Sequence, residues 1–542
     1  MTFVTHDAVL PWINFRLMAP MVINMRTLTI RHSAMGLLLS ALSVLAAGCE
    51  ALHRDIGSIE DGHEYDTGPD ASGPAYDADD TSAEDAADNS STNDVFATSD
   101  ADREDAGAST TASCSDDNGG CGDPAFTECI DRAGQAPSCV AISHWVTTTN
   151  DTWGESEECS LRAAIASVNT GDGVDGCHPG DAVDEIVLHS GQTYLLERPG
   201  TSGIDNESAD LWIDSKLTIR SSDDTPATID ADGQSRALSI ADGGDATLDG
   251  IHITGGLVED GDGGAIANHG RLTMRNASVN ANSALGSDSG LGGGFGGGLY
   301  NTGLATLENM LFEDNIARGG AGQDQVSGLA SAGGGGGGLG GAVYNDGELI
   351  LNSTTLQQNE AIGGDGGSVS SCPNSPSGTA GSGGGPGGDG GSGSGEDGAT
   401  GDFGGGGGGG TGNNPASSPG SGGDGGFAGG GGGAGPSRSG GTNEAHGIGG
   451  FDAGDGGTAI DSCPAGGGGG AGAGGAIFQR SGQLFVDDSS FLDSNIVGGG
   501  DGGDGYHPGS SGGDAQSAGP HVLRFGGDVD CATFCDQWVV TP

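Results

Sequence analysis

The stretch GGAIAN at residues 263–268 recurs along the chain, and its recurrence decides the expected fold. The later copies are GGGLYN at 296–301, GGAVYN at 340–345 and GGAIFQ at 474–479. A second asparagine follows fourteen residues after each of the first three copies, at Asn282, Asn315 and Asn359, and sixteen residues after the fourth, at Asn495. A core of constant length with inserts of variable length is typical of a stacked solenoid.

Apolar positions coincide between the copies, so each copy is expected to form one coil of a stack. In such a stack, equivalent side chains lie in columns about 4.8 Å apart, and the paired glycines permit turns with positive φ. Asparagines at matching turns can form hydrogen-bonded ladders, which makes them turn residues rather than catalysts. The coinciding sets are Leu272/Leu349/Leu484, Met274/Leu307/Leu351/Val486 and Val279/Phe312/Leu356/Phe491.

Short apolar alternations at 217–219, 227–229, 238–240 and 246–253 extend this texture toward the N-terminus. Each is bounded by Asp, Gly or Ser, and no helix separates them, whereas a doubly wound α/β fold would require one. The sequence therefore predicts an all-β chain, with β-helix coils at 201–362 and the last coils at 476–542.

Residues 146–169, VTTTNDTWGESEECSLRAAIASVN, predict a short helix that Ser160 caps, with Leu161, Ala164, Ile165 and Val168 on one face. This segment resembles the CSLREA region found ahead of exported right-handed parallel β-helices. The resemblance implies a right-handed, single-stranded, pectin-lyase-like solenoid whose open end is covered by a cap at 144–200. Ala163 stands where the family has a glutamate, so the reciprocal bond of a capping box is lost. We expect Cys159 to pair with Cys177 and close the helix onto the first coil.

The GGA copies and the stretch 312–315, FEDN, resemble repeats of the polymorphic outer-membrane proteins, a family of bacterial surface adhesins. The likeness covers roughly residues 245–500. Those proteins usually end in a translocating β-barrel, and no series of alternating ten-residue strands precedes Pro542, so self-translocation is not expected.

Residues 25–48 read as a secretory signal peptide, with a basic start, an apolar run and small residues before a cysteine. The stretch LAAGC at 45–49 resembles the lipobox of bacterial lipoproteins, which implies that Cys49 carries the lipid. Glu50 in place of Asp implies the outer membrane, on the cell surface or the periplasmic side, with release to the medium as the alternative. Residues 1–24 are interpreted as a misassigned upstream start.

Two segments separate this anchor from the cap. Residues 49–113 are acidic and poor in apolar side chains, which predicts a disordered tether. Residues 114–139 begin like an EGF-like module but carry four cysteines rather than six. A small disulfide knot is expected there, with pairs among Cys114, Cys121, Cys129 and Cys139.

Residues 363–475 form a glycine-rich, low-complexity insert in which 52 of 113 residues are glycine. Because glycine has no side chain to offset the entropy of ordering, a flexible loop is the first expectation. Extended threads packed against one another are the alternative. A Cys372–Cys463 disulfide would pinch the insert at its base, and Cys531 with Cys535 would form a last local staple.

The charge balance bounds the partners. The 542 residues carry a net charge of −58 and a single lysine, Lys216, which argues against nucleic acid and anionic membrane surfaces. We expect no metal or cofactor. The matches to a calcium repeat at 384–389 and 499–504 are stray ones in a glycine-rich chain, because genuine sites come as tandem nonapeptides.

An enzyme is nevertheless considered, because polysaccharide lyases and glycoside hydrolases use this coil. The weak catalytic candidates are Asp230 and Asp249, nineteen residues or about one coil apart, with His252. Paired carboxylates in a groove can perform acid/base work, but Asp in D-G turns is more often structural, and no Arg or Lys cluster accompanies these residues in sequence. The sequence therefore favours a non-enzymatic surface lipoprotein, adhesin-like or structural, that meets the lipid bilayer through its anchor and surface glycans or other cells through its folded part. A carbohydrate-active enzyme is the alternative.

Overall fold

The computed structural model of the protein describes residues 129–130, 138–139, 143–154, 156–179, 184–198, 210–288, 292–372, 375, 378–413, 418–438, 445–488, 490–531 and 539–542. Several predicted features lie outside the described residues: the upstream segment 1–24, the signal peptide, Cys49, the acidic segment 49–113, and Cys114, Cys121 and Cys535. The described part is all-β with mostly parallel strands and one helix, α1 (Leu161–Thr170).

The strands form four main sheets. Sheet 1 has fourteen strands: β3 (Ser143–Trp145), β4 (Asp184–Leu188), β5 (Thr193–Leu195), β7 (Lys216–Ser221), β8 (Ala227–Asp230), β10 (Asp245–Asp249), β11 (Ile251–Thr254), β14 (Arg271–Asn280), β17 (Leu304–Glu313), β21 (Glu348–Asn352), β22 (Thr355–Gln357), β28 (Gln483–Val486), β29 (Phe491–Asp493) and β33 (Asp528–Cys531). Sheet 2 has eight: β6 (Leu211–Ile213), β9 (Leu238–Ile240), β13 (Ile266–Asn268), β16 (Leu299–Asn301), β20 (Val343–Asn345), β27 (Ile477–Gln479), β32 (Val522–Arg524) and β34 (Val539–Val540).

Sheet 3 has five strands: β12 (Leu257–Glu259), β15 (Ser283–Leu285), β18 (Ile316–Arg318), β23 (Glu360–Ile362) and β30 (Ile496–Gly498). Sheet 4 has three: β19 (Gly338–Leu339), β26 (Gly472–Ala473) and β31 (Ser517–Ala518). Two antiparallel pairs stand apart: β1 (Cys129–Ile130) with β2 (Ser138–Cys139), and β24 (Gly378–Thr379) with β25 (Ser392–Gly393).

From β9 to β32 the chain visits the sheets in a repeated order, from sheet 2 to sheet 1 to sheet 3 and back to sheet 2, and a strand of sheet 4 precedes β20, β27 and β32. We call one such passage a circuit. Strands of successive circuits pair in parallel, for example Ile266 with Leu299 and Leu299 with Val343. This arrangement is compatible with a parallel β-helix.

The predicted apolar columns are buried between the sheets, and the strand register confirms most of them. Met274, Leu307, Leu351 and Val486 are successive partners, as are Leu272, Ala305, Leu349 and Leu484. One assignment is wrong, because Leu356 pairs with Leu492 and not with Phe491. Phe491 pairs with Thr355 and is 60% exposed, since the fourth copy carries two additional residues before this strand.

Helix α1 forms where the sequence predicts it. The Ser160 hydroxyl accepts a hydrogen bond from the Ala163 amide, and Gly171 ends the helix in the left-handed conformation. Its first eight residues are buried, and Asn169 bonds to the backbone of Trp212 in β6. The Cys159–Cys177 disulfide is present and contacts this buried end. The helix thus packs on the first strands of sheets 1 and 2.

The glycine-rich segments are ordered threads in the described residues, so the expectation of a flexible loop is wrong and the alternative holds. We call the described residues of 319–338, 363–471 and 499–516 the glycine bundle. In the run 333–338, the first and fourth backbone amides donate to carbonyl oxygens of the segment 320–323. The second and fifth amides donate to carbonyl oxygens of 404–407, and the third and sixth to those of 468–471. A donor direction that repeats every third residue, with no bond inside the thread, is the pattern of a polyproline II helix.

A second hydrophobic cluster joins this bundle to the outer side of sheet 2. Tyr344 stacks on Phe478 at 5.5 Å between ring centroids, and Phe427 packs against Phe478 at the same distance. The Cys372–Cys463 disulfide closes the long insert, as its cysteine spacing predicts. The insert is therefore held by the disulfide at its base and by the packing of its aromatic side chains on sheet 2.

Candidate functional site

The catalytic candidates Asp230 and Asp249 are not partners in the structure, which corrects the prediction that they project side by side. Asp230 lies opposite Thr254 in β11 and Leu195 in β5. Asp249 lies opposite Arg220 in β7 and Arg275 in β14. Thr254 comes five positions after Asp249, so the two carboxylates occupy different rows of sheet 1.

Each candidate side chain has a local structural partner. Asp230 accepts a hydrogen bond from the Asp232 amide at 2.9 Å, which closes a turn. Asp249 accepts one from the Asn276 amide group at 2.8 Å. His252 lies 2.9 Å from the Ser278 hydroxyl, and partial burial lowers the pKa of its imidazole, which favours the neutral ring. These hydrogen bonds are typical of side chains that stabilise a turn or link neighbouring strands.

Sequence reasoning missed the basic residues that surround Asp249. The outward side chains of β7 are Lys216, Thr218 and Arg220, and those of β14 that stand in the same rows are Arg271, Thr273 and Arg275. The strand between them, β10, contributes Asp245, Thr247 and Asp249. The expectation that no Arg or Lys cluster accompanies Asp249 is therefore wrong, since pairing joins residues that the sequence separates by 26 and 29 positions.

Only some of the basic side chains on this outer face form ion pairs with described residues. Arg220 is bidentate to Glu185 at 2.6 and 3.1 Å, and the Ser143 hydroxyl also donates to Glu185. Burial opposes ionisation of Glu185, but these hydrogen bonds outweigh it and lower its pKa. Among the described residues, no ion pair within 4.0 Å involves Lys216, Arg271 or Arg275.

A partly buried charge cluster lies away from this face, next to sheet 2. Arg236 is 3.6 Å from Asp210 and donates to the backbone oxygen of Asp262 at 2.8 Å. Burial raises the pKa of the Asp262 carboxyl to about 6, although the Phe295 amide and Arg236 favour its ionised form. The cluster links a turn to its neighbouring circuit and has a structural rather than a catalytic geometry.

Two cavities near the N-terminal end of sheet 1 share Thr147 in their linings. The first, of about 460 Å³, is lined by Thr147, Thr148, Thr149, His189, Ser190, Gln192, Tyr194, Ser222 and Asp223. The second, of about 210 Å³, is lined by Trp145 itself with Ser143, His144, Thr147, Cys159, Gly176, Cys177 and His178. The sequence analysis assigned this region to the cap and named no binding residue in it, although Trp145 and the three threonines at 147–149 were a signal.

Within the described ranges, no three His, Cys, Asp or Glu side chains are grouped so that they could hold a metal ion. The one helix in this part of the chain is too short to span a bilayer, and no membrane-crossing helix is found there. The chain matches no protein-family model, no curated protein and no solved structure.

Proposed function

We propose that this chain is an outer-membrane lipoprotein that displays a non-catalytic binding surface, adhesin-like or structural, on a right-handed parallel β-helix. In this proposal α1 caps the first coil, the lipid on Cys49 anchors the chain, and the acidic segment 49–113 separates the folded part from the membrane. Several acyl chains on one residue would give firm anchoring, whereas a single chain gives only marginal binding.

The register of sheet 1 is the observation that carries the non-catalytic assignment. Parallel pairing places outward side chains in rows at the strand spacing of about 4.8 Å, so the face presents a repeated pattern to a partner. The same register keeps Asp230 and Asp249 in different rows, whereas glycosyl chemistry needs two carboxylates about 5 to 9.5 Å apart. The polymorphic outer-membrane protein likeness of the GGA copies supports the adhesin-like role.

The anchor is tested by labelling cells with an alkyne fatty acid and isolating the chain. We expect labelling of the natural protein and none of Cys49→Ala. Ala46→Leu, which places a larger aliphatic residue in the lipobox-like stretch, should keep the label. Label on Cys49→Ala would overturn the anchor.

Display is tested by adding protease to intact cells. Cleavage of the chain on intact cells supports a surface role. Cleavage only after the outer membrane is opened would contradict it.

Catalysis is tested by incubating the purified chain with neutral and acidic polysaccharides and measuring new chain ends. We expect none. Turnover that Asp249→Asn abolishes would replace the binding role with the enzymatic one.

A further inference from the structure

We propose that the groove formed by Trp145 and the two cavities beside it binds a neutral oligosaccharide. The two cavities share Thr147, and Trp145 lines the smaller one while contacting His189 of the larger one at 5.5 Å between ring centroids. Because the two cavities are adjacent at Thr147, a single elongated ligand can reach both of them and contact the indole of Trp145.

The lining of the larger cavity selects a polar ligand. It presents threonine, serine and tyrosine hydroxyls, the Gln192 amide and the Asp223 carboxylate. An apolar molecule would remove these groups from water without replacing their hydrogen bonds, which is costly. A sugar offers hydroxyls that both donate and accept, so it can satisfy each of these groups.

Part of this lining is fixed before any ligand arrives. Ser190 bonds to the hydroxyls of Ser221 and Ser222 at 2.9 and 2.8 Å, and the Tyr194 hydroxyl accepts from the His189 amide at 2.8 Å. Asp223 accepts from the Thr225 amide at 2.8 Å, and this bond with that of Ser190 lowers its pKa. A pre-organised carboxylate binds with little loss of side-chain freedom.

Trp145 supplies the apolar surface that sugar rings require. It is 49% exposed, and its centroid contact with His189 is tilted by 50°, so the indole is not covered by a stacked ring there. Tryptophan combines a large apolar ring with a polar N–H, a combination that suits a partly wet binding surface. The C–H faces of a pyranose can pack on this ring while its hydroxyls meet the polar lining.

Charge excludes an acidic sugar from this groove. Among the described residues, no lysine or arginine lines either cavity, and Asp223 contributes a negative charge. A uronic or sulfated sugar would therefore meet a carboxylate without a cation, which is repulsive. The neighbouring Arg220 is already bidentate to Glu185.

This proposal names a ligand for the binding role proposed above. Only the statement that the sugar is met at the cell surface rests on that role. The test uses the purified full chain, so failure of surface display leaves it intact, and failure of sugar binding leaves the display tests unaffected.

The probes are cellotetraose, maltotetraose, xylotetraose and chitotetraose, with a tetramer of galacturonic acid as the acidic contrast. Binding is measured by calorimetry and by tryptophan fluorescence. We expect at least one neutral tetrasaccharide to bind and the acidic one to fail. Trp145→Ala and Asp223→Asn should each weaken binding about tenfold.

Tyr506→Ala is the matched control, because Tyr506 is 48% exposed and lines neither cavity. It should bind like the natural chain. Gln192→Ala is a further variant, because the exposed Gln192 side chain has no hydrogen bond to a described residue, and it too should weaken binding. The inference is overturned if none of the four neutral sugars binds, if only the acidic one binds, or if Trp145→Ala and Gln192→Ala both leave binding unchanged.

Discussion

The two glycines that open each GGA copy have different tasks. The first, at Gly263, Gly296, Gly340 and Gly474, has φ between 66° and 71°, in the left-handed region. The second touches the next circuit, since a Cβ on Gly264 would lie 2.2 Å from the Gly297 oxygen. The sequence predicted turns with positive φ from both paired glycines, and only the first of each pair has one. The close approach of the second depends on the neighbouring circuit, which one copy alone does not reveal.

In the glycine bundle, we expect Gly335→Ala to destabilise the protein by about 3 kcal/mol, because overpacking displaces backbone. A Cβ there would lie 2.0 Å from the Gly364 oxygen. Gly498→Ala is the matched control, since its Cβ meets only Ile362 at 3.7 Å, and it should be neutral or slightly stabilising. Urea unfolding measures both, and equal losses would contradict the packing of the threads.

The half-buried Asp262 carboxyl should give a measurable pH dependence. Because the pKa of Asp262 is raised to about 6 in the folded state, its contribution to stability is complete below about pH 4 and is lost as the pH rises through 6. Asp262→Asn should therefore match the natural chain near pH 4 and exceed its free energy of unfolding at pH 7 by about 2 kcal/mol. A gap that is equal at both pH values would contradict the assigned pKa.

Between strands, the asparagines form two ladders that the sequence predicted from spacing. Asn268, Asn301, Asn345 and Gln479 are joined by side-chain hydrogen bonds of 2.6 to 2.8 Å. Asn282, Asn315, Asn359 and Asn495 are joined by bonds of 2.9 Å. Spacing sufficed here because each asparagine stands at the same distance from its glycine pair in the first three copies.

We expect Asn315→Ala to lower the free energy of unfolding by about 3 kcal/mol, since it leaves buried polar groups of two neighbouring circuits without partners. Asn352→Ala is the control. Asn352 lies on the outer face of β21 and belongs to neither ladder, so its replacement should change stability by less than about 0.5 kcal/mol. Thermal unfolding compares the two variants, and a loss in Asn352→Ala as large as that in Asn315→Ala would contradict the ladder.

The same counting failed for the acid pair. Asp230 and Asp249 are nineteen residues apart, but the partner of Asp249 in the preceding circuit is Arg220. Arg220 lies in β7 and Asp249 in β10, and the chain passes through β8, β9 and the turns beside them on the way from one to the other. One circuit is therefore longer than nineteen residues. Strand pairing, which a single sequence does not reveal, decides which charges meet.

Across the complete chain, composition misjudged the glycine-rich insert. The high glycine content predicted a loop because that argument considers only the stabilisation that side chains provide. This insert is instead held by backbone hydrogen bonds between threads. A signal was nevertheless present. Phe403, Phe427 and Phe451 recur every 24 residues, and their rings stack at 5.2 and 5.3 Å.

Removing the Cys372–Cys463 disulfide by two Cys→Ser changes should cost about 4 to 5 kcal/mol in the chain-entropy model, because it closes a 91-residue separation. The 18-residue Cys159–Cys177 bridge should cost about 3 kcal/mol and serves as the comparison. Hydrogen exchange locates each effect. Loss of protection in the glycine bundle is expected only for the first pair, and unchanged protection there would contradict the pinching role.

The glycine bundle also sets how the protein responds to cold. Exposing apolar surface raises the heat capacity on unfolding and exposing polar surface lowers it, by about +0.45 and −0.26 cal/K/mol per Å². Threads that bury peptide groups and few apolar side chains should therefore contribute little heat capacity, and calorimetry should find a value per residue below the usual ~12 to 15 cal/mol/K. Hydrophobic stabilisation weakens on cooling, but hydrogen-bonded threads depend on it little. We therefore expect the bundle to remain folded in chilled water when the apolar columns begin to loosen.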